Sequence, residues 1–397
     1  MKAEAIALAL GMMLTVEQRD ANRSMFEPSS AAVSADGRFV AFTTYSQLVR
    51  ADTNRSTDVY VLDRVTQRVT LESADTGQYT GSSNYPGISG DGRHVVFERA
   101  NVVMLRDRGE GVTRIIGEGN HPSITENGRH LLFAASSMDQ VAGADVNGDR
   151  ADVYITDLHG AQASRVSVEL KGLDASVTSS DHQAASRDGR FVAFVARGQA
   201  PGTRAPDPQV FVRDTELDTT RRVGAGWDPS ISADGRLVAF VALEKGLPHI
   251  FLADLHTGAT TAITKSVRRG LANGASGRPK LSSDGRFVVF QSEASDLVAA
   301  EDFNLLWDVF VFDRTTGAMT RVSGDAEEGW MESSGGPSID AHGSVLAFSS
   351  RHPTDVSDKR NDFDLYVVTV AYPNTAAYPN TEPRRHGGTR SQTFGFW

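Results

Sequence analysis

A tight turn followed by a short apolar run recurs along the chain. The first copy, residues 34–42, reads Ser-Ala-Asp-Gly-Arg-Phe-Val-Ala-Phe. Asp-Gly and Asn-Gly pairs supply the positive φ that tight hairpin turns require, and β-branched and aromatic residues favour strands. Seven copies are present, spaced 55, 36, 61, 46, 50 and 58 residues apart. They cover residues 34–42, 89–97, 125–133, 186–194, 232–240, 282–290 and 340–348.

Each copy is followed by a second apolar strand and then by a short outer strand. Residues 308–313 are such a second strand, and residues 320–323 the outer strand that follows a Thr-Gly turn. Four short antiparallel strands repeated every 36 to 61 residues are typical of a β-propeller. No segment has a helical 3.6-residue period long enough to compete. The sequence therefore predicts an all-β chain, a seven-bladed β-propeller of four-stranded antiparallel blades.

One form of the repeat resembles a known family. The pattern Pro-Ser-Ile-Ser-x-Asp-Gly-Arg-x-Val-Ala-Phe, clearest at residues 229–240, resembles the repeats of TolB-like propellers, which are themselves WD-repeat-like. The resemblance covers roughly residues 28–370 and implies the fold. It implies little about function, because such repeats serve periplasmic partner-binding proteins, enzyme-flanking domains and some polysaccharide lyases. TolB itself resembles a six-bladed propeller with an extra domain, so its role does not carry over.

The repeats divide the chain into three parts: an N-terminal segment at 1–27, the propeller at 28–370, and a tail at 371–397. The N-terminal segment fits two interpretations. Lys2 and an apolar stretch at 5–14 look like a short signal core, whereas residues 12–17 fit a strand that closes the ring. The tail repeats Ala-Tyr-Pro-Asn-Thr and then becomes basic, which predicts a flexible linker, while its aromatic end at 394–397 also fits a docking peptide.

Charge and cysteine content narrow the class of partner. The chain has 397 residues, with 40 basic and 50 acidic ones, and a net charge of −10 disfavours nucleic acid as a partner. It has no cysteine, which excludes disulfides and thiolate chemistry and fits a bacterial protein exported to an oxidising compartment. No apolar run approaches the roughly 20 residues of a transmembrane helix. We expect a periplasmic or extracellular location, although a cytoplasmic one fits the sequence too.

Acidic loops precede the third strand of several blades and suggest calcium. Oxygen ligands at alternate positions of a tight loop are a common way to hold this ion. The fullest loop, 145–152, also looks like the calcium loops of integrin-type propellers; a degraded copy occupies 358–364. The same residues also form turns without metal, because their side chains hydrogen-bond the local backbone. The candidate ligands are Asp145, Asn147, Asp149 and Asp152, then Asp52, Asn54 and Asp58, and finally Asp302, Asn304 and Asp308.

Motifs for catalysis are missing from the sequence. It contains no His-Glu-x-x-His zinc motif and no Gly-x-Ser-x-Gly nucleophile turn, so no catalytic residue and no cofactor other than calcium is predicted. His121 and His182 are the best candidates for a functional role, because inner strands line a propeller's channel. A catalytic site assembled from several blades would leave no local motif.

These observations favour a non-enzymatic binding or scaffold protein. Its loops and channel mouth would bind a protein or glycan partner, with calcium stiffening the acidic loops. The alternative is a carbohydrate-active enzyme, most plausibly a polysaccharide lyase. An enzyme should have a deep pocket lined by His, Tyr, Arg or Lys from several blades. A binding protein should have a flatter surface with exposed aromatics, for which Trp227 and Trp330 are candidates unless they pack in the core.

Overall fold

The structure is a computed structural model that describes residues 13–19, 31–74, 80–136, 150–159, 163–168, 170, 179–198, 207–300, 306–323, 333–350 and 364–371. Within these ranges the chain forms seven four-stranded antiparallel sheets. The inner strands contact one another in succession, and the seventh contacts the first, so the sheets form a closed ring. The predicted seven-bladed β-propeller is confirmed. The described part of the chain contains no helix of the length and apolarity that a membrane crossing requires.

The strands are numbered in chain order and grouped by blade. Blade 1 contains β2 (Ala31–Val33), β3 (Phe39–Thr44), β4 (Asp58–Asp63) and β5 (Arg68–Leu71). Blade 2 contains β6 (Ser83–Ile88), β7 (His94–Arg99), β8 (Val102–Asp107) and β9 (Val112–Glu118). Blade 3 contains β10 (Asn120–Ile124), β11 (His130–Ala135), β12 (Asp152–Asp157) and β13 (Ala163–Arg165). Blade 4 contains β14 (Ser179–Ala185), β15 (Phe191–Gly198), β16 (Asp207–Asp214) and β17 (Thr219–Ala225).

The remaining three blades complete the ring. Blade 5 contains β18 (Trp227–Ile231), β19 (Leu237–Glu244), β20 (Leu247–Asp254) and β21 (Thr260–Ala262). Blade 6 contains β22 (Ser276–Leu281), β23 (Phe287–Ser292), β24 (Asp308–Asp313) and β25 (Ala318–Arg321). Blade 7 contains β26 (Ser334–Ile339), β27 (Val345–Ser350) and β28 (Asp364–Ala371), and its outer strand is β1 (Met13–Arg19). Since β1 pairs antiparallel with β28, two distant parts of the chain share one sheet.

The recurring turn motif joins the first and second strands of each blade, and hydrogen bonds within the motif stabilise the turn. In blade 1 the Ser34 hydroxyl donates to Asp36 at 2.7 Å, and Asp36 also accepts the backbone N–H of Arg38 at 3.0 Å. The Arg38 guanidinium then pairs with Asp63 at the end of the third strand, at 2.8 Å. Equivalent Arg–Asp pairs at 2.6–3.0 Å occur in four more blades. The conserved part of the repeat is therefore structural.

The second and third strands carry the core between blades. Their apolar side chains are almost completely buried, and aromatic residues directly opposite each other stack in six blades with ring centroids 5.6–6.1 Å apart. Phe42 and Tyr60 form such a pair in blade 1. Packing between neighbouring sheets is the main source of stability, since apolar burial is the dominant favourable term in folding.

Candidate functional site

A β-bulge interrupts the inner strand in six blades, and in five of them a residue in the left-handed conformation occupies it. Pairing shifts register between Asn84 and Gly87 in blade 2, and at the equivalent place in blades 3 to 7. The left-handed residues are Tyr85 (φ 53°), His121 (φ 50°), Asp228 (φ 49°), Arg278 (φ 52°) and Gly336 (φ 63°). For a residue with a side chain this conformation costs roughly 1–2 kcal/mol. Such outliers and bulges are common at functional sites, where they redirect a side chain.

We call Tyr85, His121, Asp228 and Arg278 the bulge ring. They lie on the inner strands of blades 2, 3, 5 and 6. Each stands four residues before the first residue of its turn motif, which places it about 13 Å along the strand from the turns. The bulge ring therefore surrounds the channel near the end opposite to the Asp-Gly turns, and two halves of it face each other across the axis.

The other mouth of the channel, on the turn side, is narrow. Seven backbone hydrogen bonds of 2.8–3.2 Å join each turn to the next and form a complete circle from Ala35 round to Ala341 and back. Glu126 of blade 3 reaches across this mouth and accepts a hydrogen bond from the Ser283 hydroxyl of blade 6. Glu126 is also 3.3 Å from the Arg187 guanidinium. Ligands would therefore enter the channel from the side of the bulge ring.

One half of the bulge ring is aromatic. The rings of Tyr85 and His121 meet edge to face, with centroids 4.4 Å apart. Tyr85 keeps 37% of its surface exposed, which is high for a tyrosine on an inner strand, and His121 is half-buried. An exposed tyrosine edge beside an imidazole provides a flat apolar face and hydrogen-bonding atoms for a ligand.

The other half of the bulge ring is charged. Asp228 and Arg278 are half-buried, and Lys280 of the same inner strand as Arg278 is exposed. Surrounding protein lowers the pKa of Lys280; desolvation is the main cause, with Asp228 opposing the shift and Arg278 adding to it. An accessible lysine that is nevertheless poorly hydrated fits a position inside a narrow channel. Two cations beside one carboxylate leave this half with a net positive charge that attracts anions.

The acidic loop of blade 1 brings its three predicted residues together, and each is already engaged by protein groups. Asp52 accepts the Tyr60 hydroxyl at 2.5 Å and the backbone N–H of Asn54 at 3.3 Å. Asp58 accepts the Ser73 hydroxyl at 2.6 Å. Burial raises the pKa of Asp58, against the opposing hydrogen bonds from Ser73 and Asn54. The contacts of these side chains in the structure are hydrogen bonds with protein groups.

The equivalent residues of two other acidic loops repeat this arrangement. Asp152 accepts the Ser167 hydroxyl at 2.6 Å and lies 3.4 Å from Arg165. Asp308 accepts the Ser323 hydroxyl at 2.6 Å and lies 3.4 Å from Arg321. Over the described ranges no three His, Asp or Glu side chains cluster as metal ligands. The predicted ligands at Asp145, Asn147, Asp149, Asp302 and Asn304 lie outside the described residues.

The other residues singled out in the sequence are two histidines and two tryptophans. His121 belongs to the bulge ring, as expected of an inner-strand residue. His182 lies in the equivalent bulge of β14, between Asp181 and Ala184, where the structure describes the backbone alone. Trp227 packs against the hydrophobic core between blades 5 and 6. Trp330 lies outside the described residues.

Tyr85, Asp228, Arg278 and Lys280 were missed as functional residues in the sequence. A signal was present, because in five blades a proline stands three residues before the turn motif and the residue before that proline differs each time. The surrounding repeat hardly changes. Variation at one fixed position of an otherwise regular repeat indicates a position freed from structural constraint.

Two open depressions on the outside of the ring lie away from the channel. One, of ≈ 450 Å³, is lined by Lys245 and Leu271, and the other, of ≈ 380 Å³, by Thr219 and Arg236. Neither is lined by a member of the bulge ring, so the channel mouth stays the better candidate site.

Comparison with known proteins establishes the architecture. No family model matches the sequence, and no curated protein matches it. An oligogalacturonate lyase from Vibrio parahaemolyticus is 13% identical with a TM-score of 0.57, covering 91% of this chain and 98% of its own. An oligogalacturonate lyase in complex with manganese is 16% identical with a TM-score of 0.57, covering 91% of both chains. A putative TolB from Agrobacterium tumefaciens is 17% identical with a TM-score of 0.44, covering 65% of this chain and 85% of its own.

The chain is a seven-bladed β-propeller whose repeats resemble those of TolB-like propellers. The turn motif that carries the resemblance occupies the same place in every blade, between the first and second strands. At these levels of identity the similarity to the two lyases establishes the shared fold, and function has to be argued from the bulge ring.

Proposed function

We propose that the bulge ring and Lys280 bind an oligosaccharide that carries carboxylates, and that the propeller is a binding module. The observation that carries the proposal is the set of four non-glycine residues held in the left-handed conformation at one level of the channel. A strained side chain persists only where the surrounding structure imposes it, and such residues cluster at functional sites.

The two halves of the ring fit the two chemical features of such a ligand. Sugar rings present apolar C–H faces that pack on aromatic side chains, which Tyr85 and His121 supply. Carboxylates are recognised by guanidinium and ammonium groups, which Arg278 and Lys280 supply. The fold similarity to two oligogalacturonate lyases supports the choice of an acidic glycan as the first ligand to test.

Titration calorimetry with trigalacturonate, and with neutral maltotriose as a comparison, tests the proposal. We expect trigalacturonate to bind and maltotriose to bind at least about tenfold more weakly, a difference of about 1.4 kcal/mol. Lys280→Gln should weaken trigalacturonate binding by a similar factor. Lys245→Gln, in the exposed hairpin that joins β19 to β20, is the matched control and should change nothing. Equal affinity for both sugars, or an unaffected Lys280→Gln variant, would refute the proposal.

A lyase is the second candidate function, favoured by the lowered pKa of Lys280. The deprotonated amine of Lys280 would be the base of such a reaction. In such a reaction the base removes the proton α to the uronate carboxylate and the glycosidic C–O bond at the β-carbon breaks. A C=C bond forms, and the leaving oxygen takes up a proton. Ultraviolet absorbance of the unsaturated product, lost in Lys280→Gln, would move the assignment from binding to catalysis.

The proposal has two further parts, a bound calcium ion and a cellular location. Calcium bound by the 145–152 loop, with Asp145, Asn147, Asp149 and Asp152 as ligands, would stiffen the side of the ring where ligands enter. The manganese named for one of the similar lyase structures is a property of that lyase and is not assigned to this chain. A periplasmic or extracellular location would suit a glycan-binding role; fractionation of a producing bacterium tests it, and recovery with the cytosol would contradict it.

A further inference from the structure

The backbone of His121 is held from both sides by side chains of neighbouring blades. Glu98, on β7 of blade 2, accepts the His121 N–H with its Oε2 at 3.1 Å. Gln183, on β14 of blade 4, donates from its Nε2 to the His121 carbonyl at 2.5 Å. Both backbone polar groups of His121, its N–H and its carbonyl, are thus satisfied by long polar side chains, 23 and 62 residues away in sequence.

Both supporting residues depart from the repeat. Glu98 follows the phenylalanine of the second strand, where the other blades have Thr43, Ala134, Val195, Val241, Gln291 and Ser349. Gln183 stands where five blades have proline, at positions 86, 122, 229, 279 and 337. The two departures meet at the same residue, His121. Two long polar side chains from different blades that converge on one residue indicate a local role.

Blade 7 provides an internal comparison for the Glu98 contact. Gln291 occupies the position of Glu98 in blade 6 and accepts the backbone N–H of Gly336 at 3.0 Å. Gly336 is the equivalent left-handed residue, but it has no side chain to place. This contact therefore contributes to packing between blades and to nothing in the ligand site. Any purely structural effect of losing Glu98 should be matched by the loss of Gln291.

We propose that Glu98 and Gln183 are positioning residues that hold His121 left-handed and so fix its imidazole beside Tyr85 for ligand contact. This inference rests on the proposed binding function of the bulge ring. It adds two residues outside the ring itself to the determinants of affinity.

The test uses three variants of the full chain. Glu98→Gln keeps an acceptor oxygen and should bind trigalacturonate as the wild type does, whereas Glu98→Met should weaken binding about tenfold, equivalent to about 1.4 kcal/mol. Gln183→Pro restores the residue found in five other blades, so it should fold well and still weaken binding. Gln291→Met is the matched control. It should lower the melting temperature as much as Glu98→Met does and leave the affinity unchanged.

A second readout does not need the sugar. Carbethoxylation of His121 by diethyl pyrocarbonate, followed by peptide mass spectrometry, reports how the imidazole is presented to solvent. We expect its rate to change at least about twofold in Glu98→Met and Gln183→Pro, and to be unaltered in Glu98→Gln and Gln291→Met. If trigalacturonate does not bind the wild type, the proposed function fails while this readout still tests the positioning. An unchanged modification rate in Gln183→Pro overturns the inference.

Discussion

Removal of the buried Asp58 carboxylate should strongly destabilise the propeller. Asp58 has 0% and Arg99 1% of its surface exposed, and Arg99 Nη2 lies 3.6 Å from Asp58 Oδ1. Arg99 Nε also donates to the Ser83 hydroxyl at 2.9 Å, and the Ser73 hydroxyl donates to Asp58. These contacts join blade 1 to blade 2 through groups that water does not reach.

The expected magnitude follows from what each variant leaves behind. Asp58→Ala leaves the Arg99 guanidinium buried without its carboxylate, which costs about 3–5 kcal/mol. Burial raises the pKa of Asp58 although Ser73, Asn54 and Arg99 all favour its charged form, so the buried charge itself is costly. The double variant Asp58→Ala with Arg99→Met should therefore be much less destabilised than the sum of the two single variants.

Unfolding in guanidinium chloride of the wild type, both single variants and the double variant gives the coupling free energy between Asp58 and Arg99 directly. Glu110→Ala is the surface control. Glu110 is 50% exposed and lies 3.6 Å from Arg93, so its loss should cost only about 0.2–1 kcal/mol. The cost of Asp58→Ala should be equal in calcium and in chelator, because Ser73 and Arg99 engage this carboxylate. The reasoning would be refuted if each single variant cost less than about 1 kcal/mol and the double variant cost the sum of the two.

Three other predictions concern pH, metal and backbone strain. The hydrogen bond from Arg38 lowers the pKa of Asp63 to about 2, so this carboxylate stabilises the fold above pH of about 4 and its contribution is lost as pH falls through the folded pKa. Thermal unfolding between pH 2 and 6 should show this loss, and Arg38→Gln should reduce it; an equal pH slope in the variant would contradict the assignment. Calcium at a hundredfold excess over its dissociation constant should stabilise the chain by about 2.7 kcal/mol relative to chelator, and Asp149→Asn should abolish the effect. Identical wild-type curves would return the acidic loops to ordinary turns. Gly336→Ala, at φ 63°, should lower stability by about 1 kcal/mol, whereas Gly277→Ala, with open space around it and no positive φ, should be close to neutral; equal effects in chemical denaturation would argue against strain at the bulge.

The architecture was readable along the chain because each blade is specified locally. Ser34, Asp36 and Arg38 lie within five residues, and their hydrogen bonds shape one turn between two apolar strands. Repetition of that local code seven times predicts the number of blades without any knowledge of long-range contacts. The same reasoning placed His121 and His182 on inner strands, because the distance from the turn motif is constant.

The role of the acidic loops could not be predicted from the local sequence pattern. Alternating Asp and Asn residues fit calcium and an ordinary turn equally well, and the pattern contains nothing about the groups that approach from elsewhere. Ser73 follows Asp58 by 15 residues and lies just after the outer strand β5, while Arg99 belongs to the next blade. Only the fold brings these groups to the carboxylate.

The bulge ring depends on the tertiary structure in the same way. A bulge exists only relative to its partner strand, so the left-handed conformation of Tyr85, Asp228 and Arg278 appears once the strands are paired. The contacts of His121 with Glu98 and Gln183 cross two blade boundaries, and no spacing rule connects them. Turn chemistry and strand propensity act between sequence neighbours and made the propeller predictable. Ring closure sets which side chains share the channel, and that is a property of the folded chain.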